Sequence, residues 1–309
     1  MSCTIPTLNA HGQPGDTPND RLAYLIHHLC LELDSMPVSV QETSPGLAKA
    51  LALANEARRV VDGYDEYVAR MSSPPHPIVE KMLKEGNERD WERLHKEGKT
   101  KFRLIPEMSA GGYEAVALSH LARMSKAERI LEVGMFTGTT TVSLALAPWT
   151  KKITTVELEP YLARINRPYF QQAGVARKID IKIGDAMEVL EELAEEGEKF
   201  DMIFIDADKP SYRQYLNICM SGCSDSGGWS SYQSLLAQGG MIVVDNTAYK
   251  GAPWAPDERY PQGKDIDAFN KHVREHGDID AVMLPIEDGI TLIRRRGEEP
   301  GDNDNVWER

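Results

Sequence analysis

The chain has 309 residues, 41% of them apolar and 27% charged, and a net charge of −13 at pH 7. That length admits one elaborated α/β domain, and the composition is that of a globular protein rather than a disordered or fibrous one. The acidity argues against nucleic acid or an anionic membrane as the main partner, and no apolar run approaches the roughly 20 residues that a bilayer span needs.

Residues 1–19 are rich in Pro, Gly, Asn and Thr and read as a disordered tail. They lack a basic segment followed by an apolar one, which argues against a secretory signal and for a cytoplasmic location. Four scattered cysteines (Cys3, Cys30, Cys219, Cys223) fit reduced thiols, and Cys219 with Cys223 lacks the second ligand pair of a zinc site. Residues 20–105 read as a helical extension. Apolar spacing at Leu22, Leu25, Ile26, Leu29 and Leu33 predicts a helix over 20–33, with His27 and His28 as a surface or capping pair. A second helix covers about 46–71, until Ser72, Ser73, Pro74 and Pro75 break it. A further charged helical region runs through Trp91 to about residue 96. Trp91, Tyr64 and Tyr67 read as core or docking residues rather than ligand contacts.

From about 106 to 296 strands alternate with helices. Short apolar runs at 129–134, 153–157, 179–183, 200–206 and 241–245 are each followed by a helical or loop segment. Such alternation implies right-handed crossovers and a parallel sheet with helices on both faces. The runs at 280–285 and 289–294 are separated only by a short turn at Glu287 and Asp288, so they pair antiparallel. Between the fourth and fifth strands, 221–233 reads as a flexible insertion, and 297–309 as a loose acidic tail.

In an open parallel sheet, the carboxyl ends of the strands form the ligand crevice. Two strands end there on oxygen-bearing side chains: Asp206 on the fourth, Asp245 and Asn246 on the fifth. Together they can make a small, hard, all-oxygen cation site, with Lys209 beside it. The first strand runs into E-V-G-M-F-T-G at 132–138, where Gly134 lets a ligand approach the backbone. This is not the dinucleotide fingerprint, and no phosphate-cradling lysine follows. The second strand ends on Glu157, a carboxylate able to accept hydrogen bonds from a ribose diol. A ribose acid without a pyrophosphate cradle suits a nucleoside free of phosphate, of which S-adenosylmethionine (SAM) is the commonest. Asp185 at the third strand's end would lie near the adenine amine or cap the next helix.

These segments resemble the cation-dependent O-methyltransferases, the caffeoyl-CoA and catechol O-methyltransferase family. The matching stretches are L-E-V-G-M-F-T-G at 131–138, F-D-M-I-F-I-D-A-D-K at 200–209, V-D-N-T at 244–247 and M-L-P-I-E-D-G-I-T-L-I-R-R at 283–295. The resemblance implies a Rossmann-like class I methyltransferase of seven mostly parallel strands in the order 3-2-1-4-5-7-6, the last antiparallel. It makes Asp206, Asp245 and Asn246 ligands of a divalent cation, Mg²⁺ by preference, and Lys209 the base. Glu132, Gly134, Thr140, Glu157, Ala186 and Asp208 become cofactor contacts. Met108 and Ser109 would close over the cofactor, and a homodimer is implied. The branch that looks most similar is the demethyl-4-deoxygadusol O-methyltransferases of mycosporine biosynthesis, whose long helical N-terminal region is also similar. Lys250, where the plant enzymes carry a substrate-contacting asparagine, and the 221–233 insertion depart from the phenylpropanoid-CoA pattern.

The expected chemistry is methyl transfer from SAM to one oxygen of a small vicinal diol or enol-diol. A catechol, flavonoid or other phenolic is the rival acceptor. An NAD(P)-dependent oxidoreductase is disfavoured by the missing dinucleotide glycines. A non-catalytic SAM-binding protein would be expected to have lost Asp206, Asp245 or Lys209, and all three are present.

Overall fold

The computed structural model describes residues 17–37, 44–221 and 233–297. The expectations for 1–16, for 298–309, for most of the 221–233 insertion, and for Cys3 and Cys223 lie outside the described residues. Cys30 and Cys219 are free, buried thiols. Among the described residues, no helix is long and apolar enough to cross a membrane.

Seven strands form one sheet in the order β3-β2-β1-β4-β5-β7-β6. They are β1 (Arg129–Val133), β2 (Lys152–Glu157), β3 (Ile179–Ile183), β4 (Phe200–Ile205), β5 (Leu236–Val244), β6 (Ile279–Leu284) and β7 (Ile290–Arg295). Strands β1 to β5 pair parallel, whereas β7 lies antiparallel between β5 and β6. The expected order therefore holds. The central strands are buried on both faces, so their side chains alternate between two apolar layers. In β4, Met202 and Phe204 join Ile130, Ile153 and Val243 in one layer. Ile203 and Ile205 join Leu131, Val133, Ile242 and Val244 in the other. A single shift in pairing register would exchange the layers.

The second layer is covered by α8 (Ala186–Glu195), α9 (Tyr212–Ser221) and α10 (Gly263–Glu275). The first is covered by α5 (Gly112–Met124) and α6 (Thr139–Ala145), and α7 (Pro160–Gln172) lies on the same side. The segment before the sheet contributes α1 (Pro18–Asp34), α2 (Pro45–Met71), α3 (Pro77–Asn87) and α4 (Trp91–Lys96). Helices α3 and α4 share a core with the sheet unit: Val79, Met82, Trp91 and Leu94 pack with Met135, Val142 and Leu162.

Local chemistry sets these boundaries. Thr17 and Asp20 form a reciprocal capping box at the start of α1, and Pro18 at the first helical position has no N–H to leave unpaired. Asp90 caps α4 by accepting from Arg93 N at 2.9 Å. The helix at 20–33 exists, but its buried stripe is Ala23, His27, Cys30 and Leu33, while Leu22, Leu25 and Leu29 are about half exposed. His27 is thus not a surface residue: it is 3% exposed, and its Nε2 meets the Asp62 carboxylate at 3.0 Å. Of the three aromatics, Trp91 lies in the core, whereas Tyr64 and Tyr67 are exposed.

Candidate active site

The hydrogen-bond ladder of the sheet carries the site. At the carboxyl ends it steps sideways: Gly134 N donates to Val156 O at 3.0 Å, Asp206 N to Val133 O at 2.9 Å, and Asp245 N to Ile205 O at 3.0 Å. Glu157, Gly134, Asp206 and Asp245 therefore stand in a row across four adjacent strand ends, spaced by the usual strand separation of about 4.8 Å. Gly134 has φ 99°, and a Cβ there would lie 2.1 Å from Asp206 O. Only glycine allows the two strand ends to approach this closely.

On the β4–β5 side the carboxylates gather. Asp206 Oδ1 accepts from Lys209 Nζ at 3.1 Å, with the two side chains 19% and 16% exposed. Asp245 is 3% exposed, and its Oδ1 accepts from Asn246 N at 2.6 Å. Burial, reinforced by the charge of Asp206, pushes the Asp245 carboxyl up to about 7. Asn246 has φ 55°, the left-handed conformation that asparagine tolerates better than most residues. Burial pulls the Lys209 ammonium down, but Tyr212, Asp206 and Asp245 outweigh it and hold the group well above the usual lysine range.

Glu114, on the buried face of α5, is the residue that sequence reasoning missed. It is 3% exposed, hydrogen-bonds Asp245, and leaves Oε1 without a partner. Burial, then the charges of Asp245 and Asp206, raise its carboxyl well above the usual range. The signal was available: Glu114, Leu118 and Ala122 fall at i, i+4 and i+8, so a charged residue occupies a core stripe.

Asp206 and Asp245 thus flank the Lys209 ammonium, Glu114 lies against Asp245, and its buried Oε1 has no donor. A buried excess of negative charge and hard oxygen donors fit a divalent cation. Among the described residues no three His, Cys, Asp or Glu side chains form a ready-made cage. Two carboxylates plus the Asn246 amide leave coordination positions for water or a diol.

On the β1–β3 side, Glu157 is 9% exposed; Oε2 accepts from Phe136 N at 2.9 Å and Oε1 from Glu159 N at 2.8 Å. Each oxygen keeps a second lone pair for a ligand hydroxyl. Asp185 caps α8 through Met187 N at 2.8 Å, and Ala186 opens that helix. Met108 is 47% exposed on a single 3-10 turn. Its neighbour Ser109 reaches the glycine loop, with Oγ 3.2 Å from Thr137 Oγ1. Asp208 is exposed and accepts from the Ser211 and Tyr215 hydroxyls.

Glu132 and Thr140 sit beneath the crevice rather than on it. Glu132 is 0% exposed and takes the hydroxyls of Thr140 at 2.6 Å and of Thr141 and Thr155 at 2.5 Å. Here Thr140 buttresses the strand. The loop above is held by Asn166, whose Nδ2 donates to Phe136 O at 2.7 Å, and by the Trp91 ring, 5.4 Å from that of Phe136.

Comparison with known proteins places this geometry in context. The O-methyltransferase family model matches residues 84–296. Tricin synthase 2 from Oryza sativa subsp. japonica is 34% identical over 198 residues, which cover 61% of this chain and 63% of the relative, short of two thirds of its length. Caffeoyl-CoA O-methyltransferase 1 from Eucalyptus globulus is 33% identical over 198 residues, covering 61% of this chain and 75% of the relative. Among solved structures, the SAH-bound Podospora anserina methyltransferase aligns with TM-score 0.62 and 25% identity, over 77% of this chain and 96% of that one. TomG of Streptomyces achromogenes, an O-methyltransferase involved in tomaymycin synthesis and solved with SAM, aligns with TM-score 0.58 and 26% identity over 76% and 96%.

Proposed function

Since the chain belongs to the O-methyltransferase family, we propose that it is a Mg²⁺-dependent enzyme that moves the methyl group of S-adenosylmethionine to one oxygen of a small vicinal diol or enol-diol. The observation that carries this reading is the row of strand ends. It sets the ribose acid Glu157 and the open Gly134 on one side of the crevice, and Asp206, Asp245 and Asn246 on the other. Relatives acting on caffeoyl-CoA and neighbours solved with SAM or SAH support the cofactor and the O-acceptor.

Within this reading Glu157, Gly134, Ala186, Asp185, Asp208 and Met108 line the cofactor side, with Glu132 and Thr140 supporting them from below. Asp206, Asp245 and Asn246 would hold the cation, and Glu114 completes the negative field around them. When bound, SAM supplies an activated methyl and the divalent ion supplies charge and direction for a diol oxygen. A phenol is mostly protonated at neutral pH, with a reference pKa of about 10, so a base is needed. Lys209 is placed for it, 3.1 Å from Asp206. Tyr212, Asp206 and Asp245 hold its proton, and that hold would weaken once the two carboxylates bind a divalent ion, so that Nζ could then accept the proton of the acceptor hydroxyl. Holding donor and acceptor at near-attack distance can supply roughly 7–11 kcal/mol of the barrier reduction.

Demethyl-4-deoxygadusol is the acceptor proposed first. Lys250 and the long helical N-terminal segment support it over a phenylpropanoid-CoA thioester; catechols and flavonoids form the second class. A cytoplasmic homodimer is the proposed working form. In Asp245→Ala, methyl transfer is expected to fall by at least about a hundredfold while SAH affinity stays within about threefold. Single-turnover assays and calorimetry check both, and a wild-type rate would refute the ligand role.

A further inference from the structure

The turn that leaves β5 is held from two sides. Two residues beyond the Asp245 and Asn246 pair, after Thr247 and Ala248, the backbone passes through three successive residues of positive φ: Tyr249 at 31°, Lys250 at 54° and Gly251 at 70°. Two of them are not glycine, so surrounding contacts must hold them there. The turn before β7 supplies one set. Asp288 O accepts from Ala248 N at 2.8 Å and Tyr249 N at 3.2 Å, and its Oδ1 accepts from Lys250 N.

Helix α1 supplies the other. Arg21 is 13% exposed and lies more than 220 residues away in sequence. Its Nη1 donates to Lys250 O at 3.2 Å and to Ala255 O at 2.9 Å, and its Nη2 to Asp257 Oδ2 at 3.3 Å. The guanidinium carbon stands 5.2 Å from the centre of the Tyr260 ring. One planar fork therefore joins both ends of the 250–260 loop, a geometry that a lysine's single ammonium cannot reproduce.

We propose that Arg21 is a positioning residue for the acceptor: by clasping 250–260 it fixes the loop that follows the Asp245 and Asn246 pair, and so shapes the acceptor side of the crevice. The cofactor side, at the ends of β1 to β3, lies beyond the carboxylate row and is independent of the clasp. The acceptor half of this inference rests on the methyltransferase reading; the clasp itself does not.

Amide exchange and steady-state kinetics of the full chain separate the two. In Arg21→Ala, exchange across 247–262 should quicken about tenfold or more while β1 and β4 keep their rates, as expected on losing charge-assisted hydrogen bonds. Acceptor KM should rise about tenfold, with kcat within about threefold and SAH affinity unchanged. Arg21→Lys, which keeps the charge but not the fork, should fall between the two and serves alone if the alanine variant does not fold. Wild-type exchange at 247–262 overturns the clasp; an unchanged acceptor KM, or a loss of kcat and SAH affinity alongside a raised KM, overturns the acceptor-positioning role. If wild-type protein transfers no methyl group, the functional reading fails, and the exchange data alone decide on the clasp.

Discussion

At the residue scale, Glu132 shows how the site is built on buried charge. Burial is the largest influence on it and outweighs three threonine hydroxyls, raising its carboxyl from 4.5 to about 7. Below about pH 4.5 the group is protonated whether folded or unfolded. Between that pH and about 7 the folded chain retains a proton that the unfolded chain releases, so stability falls as pH rises, by about 3 kcal/mol in all. Glu132→Gln cannot titrate. Its stability relative to wild type should therefore improve from pH 5 to about pH 7 and then level off in denaturant titrations, and parallel profiles would refute this account. Glu132 was legible in the sequence as part of the E-V-G-M-F-T-G motif, but its burial was not. Glu114 and Arg21 were not singled out because neither belongs to a motif: one is a lone charge in a core stripe, the other acts across more than 220 residues.

At the element scale, strand identity and the final antiparallel pair followed from short apolar runs and the tight turn at Glu287 and Asp288, because fully buried parallel strands leave a strong local signal; the strand order came only from the family resemblance. Several features escaped, among them the whole of helix α5. Strand β5 starts at Leu236, before Gly239 and Gly240, residues that disfavour strand in any local reading. Helix α3 begins at Pro77, just after Pro74 and Pro75, and only its packing against the sheet shows that it matters. Of the α1 leucines that promised a buried stripe only Leu33 is buried; tertiary packing gives the other places to Ala23, His27 and Cys30. The contact from α4 to the glycine loop gives a test. Trp91 is 3% exposed, bonds Gly86 O through Nε1 at 2.9 Å and stacks near Phe136. Trp91→Ala should cost about 3–5 kcal/mol of stability. Through Phe136 it should also weaken SAH binding; unchanged SAH affinity in the folded variant would show that α4 supports the core alone.

At the scale of the whole molecule, the sheet brings together groups from widely separated parts of the chain: Arg21, Glu114, Glu157, Asp206, Asp245 and Asp288. A negative field gathers over β4 and β5, and an open backbone lies over β1. Joined by the hydrogen-bond ladder of the sheet, the two halves are proposed to address different ligands within one crevice. The central claim is that the carboxylate half works through a divalent cation in methyl transfer. Its most direct test incubates metal-stripped protein with SAM and a panel of demethyl-4-deoxygadusol, catechols, flavonoids and caffeoyl-CoA, with and without Mg²⁺, and follows the gain of one methyl by mass spectrometry. The account predicts a methylated diol only when Mg²⁺ is present; full turnover in excess chelator would contradict it.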